Sequence, residues 1–427
     1  MAPLVPTLTH IYYGFLFFCP PKDLEQPYWV TEAGYCKGKQ DYDMIGAEPK
    51  DKEYIATMTS WKADHPDLKI IGSIGGWNFP SSFFSAAVRT ATSRSKFVDS
   101  VIAFCGANKL DGIEIDWEHP CSAPRMNPVQ ITCEKFQHVK DSGGHCTSKK
   151  YAKGVCTGDC DDKQNLLMWV QELKKKAPEL QISIAAAASP TIMKEAFDVA
   201  ELTKELHHWN LMTYDYYVSD IKSANITAPN QNLYSVEGPG FVEQWSTSDT
   251  VKAYKEAGAD PSKLWLGLAF YAHSWYVPDL QGDDWKKYGL KASIPSGGQS
   301  GNECCGDFQG TYGVKGGKGC HQCGSMMHSE IMAAGFETTF DEASGSNIGY
   351  MKEDSEDGYT KAGTWISFID KDAIKKQTQW AMDQGMGGAF SFDASMDTVD
   401  FGTGEFTYEL THEYADIVNK KNKENGY

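Results

Sequence analysis

The chain has 427 residues, so it holds either one large domain with insertions or roughly two to three domains of ordinary size. Hydrophobic residues make up 41% and charged residues 23%, an ordinary globular composition that excludes wholesale disorder. Asp and Glu number 57 against 40 Lys and Arg, and so acidic a surface repels phosphate backbones, which argues against a nucleic-acid partner. No run of about 20 apolar residues is present, so we expect no membrane-spanning segment.

Short apolar runs recur along the chain and alternate with amphipathic sequence that is typical of helices. The runs cover Ile11–Phe18, Leu68–Ile74, Gly112–Trp117, Gln181–Ala187, Trp209–Tyr214, Trp265–Tyr271 and Gly388–Phe392. Apolar runs without polar alternation are typical of strands that are buried on both faces of a parallel sheet. Strands that alternate with helices predict an α/β fold, either a TIM-type (β/α)8 barrel or a doubly wound sheet.

The first strand of a barrel is missing from this pattern. A closed barrel needs eight strands, and the sequence shows seven apolar runs. The missing strand should precede Ile11, where only ten residues are available. No signal peptide is visible at Met1 either. We therefore interpret the sequence as truncated at its N-terminus.

Two irregular stretches interrupt the alternation of strands and helices. Residues 121–163 are rich in Cys, Gly, Lys and Asp and predict a loop tied by disulfides. Residues 276–363 are Gly-rich and long enough for a small α+β domain inserted between the last two β/α units. The predicted barrel domain therefore covers residues 1–275 and 364–427, and the predicted insertion domain covers residues 276–363.

Most of the 12 cysteines lie in these two stretches. Clustered cysteines in loop-like sequence favour disulfides and an oxidising compartment, so we expect a secreted, extracellular protein. A glycosylation sequon at Asn225-Ile-Thr227 adds weak support. A zinc site at Cys320 and Cys323, with Cys304 and Cys305 upstream, is the alternative, although such sites more typically have two well-spaced CxxC pairs.

The segment Asp111-Gly-Ile-Glu-Ile-Asp-Trp-Glu118 is the most informative in the sequence. Side chains alternate along a strand, so Glu114, Asp116 and Glu118 share one face. Carboxyl groups at this spacing oppose one another's ionisation, so we expect one to stay protonated near neutral pH, as a general acid must. Glu118 ends the run, and barrel active sites lie at the C-terminal ends of strands. A solvated acidic edge strand, the alternative, fits poorly with the flanking isoleucines.

Five segments resemble motifs of glycoside hydrolase family 18, the chitinases and their relatives. They are Gly72-Ser-Ile-Gly-Gly-Trp77 (similar to SxGG), Asp111–Glu118 (similar to DGxDxDxE), Met212-Thr-Tyr-Asp-Tyr216 (similar to MxYD), Leu266–Tyr271 and Gly387–Phe392. The resemblance covers nearly the whole chain in the right order. It implies a β/α barrel, and the inserted stretch resembles the small α+β domain of the bacterial-type members.

The resemblance also implies a mechanism in which the substrate takes part. Glu118 would protonate the glycosidic oxygen, and the acetamido carbonyl of the sugar would attack its own anomeric carbon. Asp116 would orient the acetamido N–H and pass charge toward Glu114. Tyr214 would hydrogen-bond the acetamido oxygen, and Asp215 would contact a hydroxyl or the acetamido group. Only N-acetylated sugars carry this internal nucleophile, and no metal or organic cofactor is required.

The same motifs imply substrate-binding roles, with some departures from the family. The implied binding residues are Gly76, Trp77, Met212, Tyr271 and Phe392. Glu114 stands where an Asp is usual, Phe392 where the family has Trp, and His273 where many members have Arg. Three further tryptophans either stack on sugars or pack in the interior, and these are Trp275, Trp285 and Trp365.

The sequence therefore predicts a monomeric chitinase that acts on β-1,4-linked N-acetylglucosamine polymers. One alternative is an endo-β-N-acetylglucosaminidase that cuts N-glycans. The other is a chitin-binding lectin without turnover. Glu118 argues against the lectin, whereas Glu114 and Phe392 keep it open.

Overall fold

The computed structural model describes residues 2–22, 24, 30, 33–121, 161–218, 226–237, 245–278, 280–292, 325–356 and 360–424. The strands are β1 (His10–Phe18), β2 (Met44–Gly46), β3 (Lys69–Gly75), β4 (Gly112–Asp116), β5 (Gln181–Ala187), β6 (His208–Met212), β7 (Leu264–Ala269), β8 (Tyr271–Tyr276), β9 (Ser325–Met327), β10 (Glu337–Asp341), β11 (Ser346–Tyr350), β12 (Thr364–Phe368) and β13 (Gly388–Phe392). The α-helices are α1 (Asp51–Ser60), α2 (Ser81–Arg89), α3 (Ala91–Asn108), α4 (Asp162–Lys176), α5 (Pro190–Ala196), α6 (Val199–Glu205), α7 (Thr247–Glu256), α8 (His328–Ala334), α9 (Lys371–Asp383) and α10 (Glu409–Glu424).

The chain divides into two compact units. The N-terminal unit comprises Leu8–Asn210 and Tyr254–Lys263. The C-terminal unit comprises Met1–Thr7, Leu211–Ala253 and Leu264–Tyr427. Strand β6 contributes residues to both.

Strands of the N-terminal unit follow the order β2-β1-β3-β4-β5-β6. β1 pairs in parallel with β3, β3 with β4, and β4 with β5, whereas β2 pairs with β1 in the antiparallel sense. The register aligns Gly14, Ser73, Glu114 and Ser183 across four neighbouring strands. Paired residues of parallel strands share a face, so Glu114 lies between small neighbours on either side.

Helices cover this sheet through aromatic side chains. Thr90 and Ser93 form a capping box at the start of α3, which satisfies backbone N–H groups that the first turn leaves unpaired. Phe97 of α3 stacks on Trp169 of α4, with ring centroids 4.8 Å apart, and both side chains are fully buried. Burial of such large rings stabilises the helix layer.

The C-terminal unit contains two sets of strands. β13 pairs in parallel with β7, as in the predicted β/α pattern. A separate antiparallel sheet has the order β10-β11-β12-β8-β9, and three of its strands, β9, β10 and β11, lie within residues 276–363. Strands β8 and β12 belong to this sheet as well, and the domain boundaries themselves stay a prediction. The three tryptophans at positions 275, 285 and 365 are fully buried here, so they pack in the interior and do not stack on sugars.

All seven predicted strands are present, and no strand precedes β1 among the described residues. Residues Ala2–Thr7 form a short 3-10 helix. β1 pairs with β3 and also makes an antiparallel contact from Leu16–Phe18 to β2.

A disulfide joins Cys19 and Cys36. Both predicted cysteine clusters, apart from Cys121, lie outside the described residues, as does Asn225 of the sequon. None of the described helices is long and apolar enough to cross a membrane.

Candidate active site

The predicted site residues form two clusters, one in each unit. The N-terminal unit holds Gly76, Trp77, Glu114, Asp116 and Glu118. The C-terminal unit holds Met212, Tyr214, Asp215, Tyr271 and Phe392. Each cluster is described separately.

Glu114 is buried in the middle of β4 and is held by two hydrogen bonds. Ser73 Oγ donates to Oε2 and Asn210 Nδ2 donates to Oε1, each at 2.6 Å. Burial raises the pKa of Glu114, and these two donors oppose the rise because they stabilise the charged form. The longer Glu side chain therefore has a definite place between β3 and β6, where the family has an Asp.

Asp116 is buried between two other carboxyls of the cluster. Burial raises its pKa well above the usual value, and the negative charges of Glu118 and Glu114 raise it further. Its Oδ1 atom is buried and has no hydrogen-bond partner among the described residues. A carboxyl in this environment holds a proton at a higher pH than a free Asp does.

The backbone beside Asp116 requires a glycine. Gly75 has a φ of 110°, and a Cβ there would lie 2.3 Å from the backbone oxygen of Asp116. The next residue, Gly76, donates its N–H to the same oxygen at 2.9 Å. The glycines of the SxGG-like motif therefore let β3 approach β4 closely at the carboxyl end of both strands.

Glu118 lies just beyond the end of β4, and its side chain is 13% exposed. The side chain of Ser81 anchors the segment around Glu118. Trp117 Nε1 donates to Ser81 Oγ at 2.6 Å, and Ser81 Oγ donates to the backbone oxygen of His119 at 3.2 Å. Trp117 also stacks on Phe84 at 5.3 Å between ring centroids. These contacts fix the residues before and after Glu118 and leave its carboxyl partly accessible to solvent.

Trp77 follows the two glycines and is 47% exposed, which is unusual for so large an apolar side chain. A ring exposed at the end of β3 suits the predicted role as a platform for a sugar. Gly76 is required here too, because its φ is 88° and a Cβ would lie 3.1 Å from the ring of Phe15.

In the C-terminal unit, Asp215 is the centre of the second cluster. Tyr271 donates its hydroxyl to Asp215 Oδ1 at 2.7 Å, and His273 Nε2 lies 2.6 Å from the same oxygen. The side chain of Asn230 accepts the backbone N–H of Asp215 at 3.0 Å and donates to the backbone oxygen of Tyr271 at the same distance. Asn230 thus fixes both ends of the Tyr271–Asp215 contact.

Aromatic rings surround this carboxylate. Tyr214 and Tyr271 meet edge to face at 6.2 Å, and Phe392 lies 6.5 Å from Tyr214 and 6.4 Å from Tyr271. Met212 packs against the same cluster. Phe392 is 37% exposed at the end of β13, so its ring is available to a ligand.

Sequence reasoning missed three contributors to these clusters. Asn210 and Asn230 were not singled out, and His273 was noted as a departure without a role. Asn210 could have been found, because it lies two residues before Met212 on the strand and therefore faces the same side. Asn230 follows a region without periodicity, and nothing in the sequence marks it.

Comparison with known proteins now identifies the family. Residues 2–397 match the family described as Glycosyl hydrolases family 18. The chain belongs to glycosyl hydrolase family 18. The family resemblance inferred from the motifs is thereby confirmed.

Relatives of this family 18 chain are chitinases by name. An endochitinase from Manduca sexta is 24% identical over 411 residues, which cover 94% of this chain and 60% of that protein. The crystal structure of an Ostrinia furnacalis Group IV chitinase in complex with allosamidin is similar with a TM-score of 0.70 at 16% identity, and the match covers 98% of this chain and 94% of that one. Human YKL-39, a pseudo-chitinase with retained chitooligosaccharide binding properties, gives a TM-score of 0.69 at 18% identity, covering 98% of this chain and 92% of that one.

These structural likenesses confirm the predicted TIM-barrel fold class for the family 18 chain. The chain spans 60%, 45% and 46% of the length of three insect and nematode relatives, so it corresponds to about half of each.

Proposed function

We propose that this protein is a chitinase that hydrolyses β-1,4 bonds between N-acetylglucosamine residues, with Glu118 as acid and base. The observation that carries the proposal is the row of carboxyls on β4. Buried Asp116 has a raised pKa because of burial and of its two acidic neighbours, and Glu118 ends the row with a partly exposed carboxyl. A general acid beside a carboxyl that can hold the acetamido group is what a substrate-assisted glycosidase needs.

In the proposed reaction, Glu118 donates its proton to the glycosidic oxygen as the bond to the anomeric carbon breaks. The acetamido oxygen of the same sugar forms a bond to that carbon, which yields an oxazolinium ion. Glu118 then removes a proton from water, and the water opens the ring with retained configuration. Asp116 accepts the acetamido N–H and holds the internal nucleophile in position, which supplies the advantage of proximity.

Asp116 is prepared for this role by its surroundings. Its buried Oδ1 atom has no partner among the described residues, so an acetamido N–H that reached this atom would satisfy it. Positive charge that develops on the oxazolinium ion is stabilised by the neighbouring carboxyls. Glu114, fixed by Ser73 and Asn210, supports Asp116 from below without competing for the substrate.

The C-terminal unit is assigned the recognition of the sugar. In this hypothesis, Tyr214 hydrogen-bonds the acetamido oxygen, and Asp215 contacts a hydroxyl or the acetamido group. Phe392 and Trp77, the exposed rings at their strand ends, stack on sugars. Met212, Tyr271 and Gly76 complete the proposed binding residues.

Replacement of Glu118 by Gln tests the proposal. The variant should not hydrolyse a fluorogenic chito-oligosaccharide but should still bind the unlabelled oligosaccharide, because Gln keeps the shape and removes the acid. Glu179→Gln, at an exposed position, is the matched control and should keep full activity. Wild-type protein that binds the oligosaccharide without turnover between about pH 4 and 8 would favour the lectin instead.

The endo-β-N-acetylglucosaminidase alternative uses the same internal nucleophile, because N-glycan cores carry N-acetylglucosamine. Release of intact glycan from a glycoprotein, with chitin untouched, would select it. The presence of Glu118 favours an enzyme over a lectin, and Phe392 in place of Trp is the observation that keeps the lectin under test.

We further propose that the protein is secreted and acts as a monomer. The Cys19–Cys36 disulfide supports an oxidising compartment. The monomer is a prediction that light scattering on the purified chain would check.

A further inference from the structure

A second set of buried polar side chains lies in the N-terminal unit, one layer below the carboxyls of β4. His208 is the first residue of β6 and is buried. Its Nε2 atom forms a hydrogen bond with the hydroxyl of Tyr12, which reaches it from β1. Asn210, two residues further along β6, faces the same side and donates to Glu114. One strand face therefore holds both the partner of Tyr12 and the partner of a predicted catalytic carboxylate.

The Tyr12 hydroxyl has more potential hydrogen-bond acceptors nearby than its single proton can bond. It is close enough to Asn210 and Ser183 for both side chains to affect its ionisation, and the charge of Glu114 acts on it as well. Yet Asn210 Oδ1 and Ser183 Oγ are buried without a hydrogen-bond partner among the described residues. A phenol carries one proton. The unsatisfied Asn210 Oδ1 atom, which can only accept, is explained if that proton is donated to His208.

We propose that His208 is a positioning residue that holds the Tyr12 proton away from the Asn210–Glu114 pair. With the proton on the His208 side, Glu114 accepts hydrogen bonds from Ser73 and Asn210. Without an acceptor at position 208, the hydroxyl turns to Asn210 Oδ1. A donor there polarises the amide, strengthens the bond from Nδ2 to Glu114 and stabilises the charged carboxylate. Glu114, stabilised as a carboxylate, then takes up a proton less readily when charge is passed toward it from Asp116.

Charged and titratable side chains on several neighbouring strands act on the pKa values of this network. They are His10 and Tyr12 on β1, Glu114 on β4, His207 beside His208, then Lys69 and Asp111 acting on His10, and Lys174 and Lys263 acting on His207. Burial, followed by the nearby His10 and His207, lowers the pKa of His208 well below its usual value. His208 is therefore neutral near pH 7, and its Nε2 atom can accept the hydrogen bond from Tyr12.

The first test needs neither a variant nor activity. In wild-type protein with 15N-labelled histidine, NMR reports which ring nitrogen of His208 carries the proton. The proposal requires neutral His208 with the proton on Nδ1, because Nε2 must accept from Tyr12. A proton on Nε2 would make Tyr12 the acceptor and would overturn the proposal.

The second test follows the carboxyl of Glu114 by NMR, with 13C-labelled Glu and Glu114→Gln for assignment. His208→Leu should lower the titration midpoint of Glu114 by about 0.1–0.6 pH unit, because an existing hydrogen bond to the charged form becomes roughly 10–30% stronger. His208→Gln keeps an acceptor and should leave the midpoint unchanged. In a Tyr12→Phe background, His208→Leu should have no further effect, because no hydroxyl is left to turn.

The matched control is His207→Gln. His207 is the neighbouring residue, and its Nδ1 accepts the backbone N–H of Ile182 at 3.0 Å. The His207→Gln substitution should leave the titration midpoint of Glu114 unchanged. An unchanged midpoint in His208→Leu, an equal shift in the Tyr12→Phe background, or an equal shift in His207→Gln would each overturn the proposal.

The catalytic consequence rests on the proposed chitinase function, and the two can fail separately. In an active enzyme, His208→Leu should move the acidic limb of the profile of kcat/KM against pH in the same direction as the Glu114 midpoint. An inactive wild type with the NMR results as stated would reject the proposed function and leave the role of His208 intact. An active wild type whose pH profile is unaffected by His208→Leu would reject that role in catalysis.

Discussion

His328, the first residue of α8, offers a direct test of how burial affects stability. It is 4% exposed, and neither ring nitrogen has a hydrogen-bond partner among the described residues. Burial lowers the pKa of His328 to about 4, although the charges of Asp397 and Glu409 act in the opposite direction. We therefore predict that His328→Phe makes the fold less sensitive to acid.

The sign and size of the effect follow from the two pKa values of His328. An unfolded histidine titrates near 6.5, whereas folded His328 titrates at about 4. Below about pH 6.5 the unfolded chain binds more protons than the folded chain, so stability is present above that pH and falls as the pH falls toward 4. Across two pH units of this window, about 1.36 kcal/mol per unit gives a loss of about 2.7 kcal/mol.

The free energy of unfolding is measured by urea titration with tryptophan fluorescence, near pH 7.5 and near pH 4.5. Wild type should lose about 2–3 kcal/mol more than His328→Phe between the two conditions. His65→Phe, at a partly exposed position, is the control and should behave like wild type. An equal loss in wild type and His328→Phe would show that His328 is not held neutral by the fold, and would refute the reasoning.

Three further substitutions test the site. Phe392→Trp should raise affinity for a chito-oligosaccharide in calorimetry, because the larger ring adds stacking area; unchanged or weaker binding would remove Phe392 from the sugar site. Glu114→Asp should lower kcat although Asp is the family residue, because the shorter side chain loses Ser73 or Asn210; higher kcat would identify Glu114 as a defect. His273→Ala should lower kcat/KM roughly ten-fold, the value of a hydrogen bond to a charged group; His412→Ala is the control, and equal activity of both variants would dismiss the contact with Asp215.

The parts of the fold that the sequence predicted are those with a local signature. Each apolar run became a strand because a segment buried on both faces must be apolar throughout. The alternation of Glu114, Asp116 and Glu118 with isoleucine and tryptophan gave the shared face, because side chains alternate along any strand. The site assignment itself came from the family motifs and stays a prediction that the variants above test.

Contacts between distant parts of the chain had no such signature. Tyr12 and His208 are 196 residues apart in sequence, and their hydrogen bond depends on strand register. The antiparallel pairing of β8 with β12 buries Trp275 against Trp365, with ring centroids 5.5 Å apart. Composition alone could not distinguish these buried rings from the exposed Trp77, because both kinds are aromatic residues near strands.

Glu114 shows how a departure from the family pattern can be accommodated. One of its carboxyl oxygens accepts a hydrogen bond from Ser73 on β3, and the other accepts one from Asn210 on β6. The negative charge of Glu114 raises the pKa of Asp116. The Oδ1 atom of Asp116 remains without a hydrogen-bond partner among the described residues. An unsatisfied buried oxygen carries a free-energy cost that a ligand can remove. If the proposed function holds, an acetamido N–H that reaches this atom would supply the missing hydrogen bond, and part of the binding energy of an N-acetylated sugar would come from satisfying it.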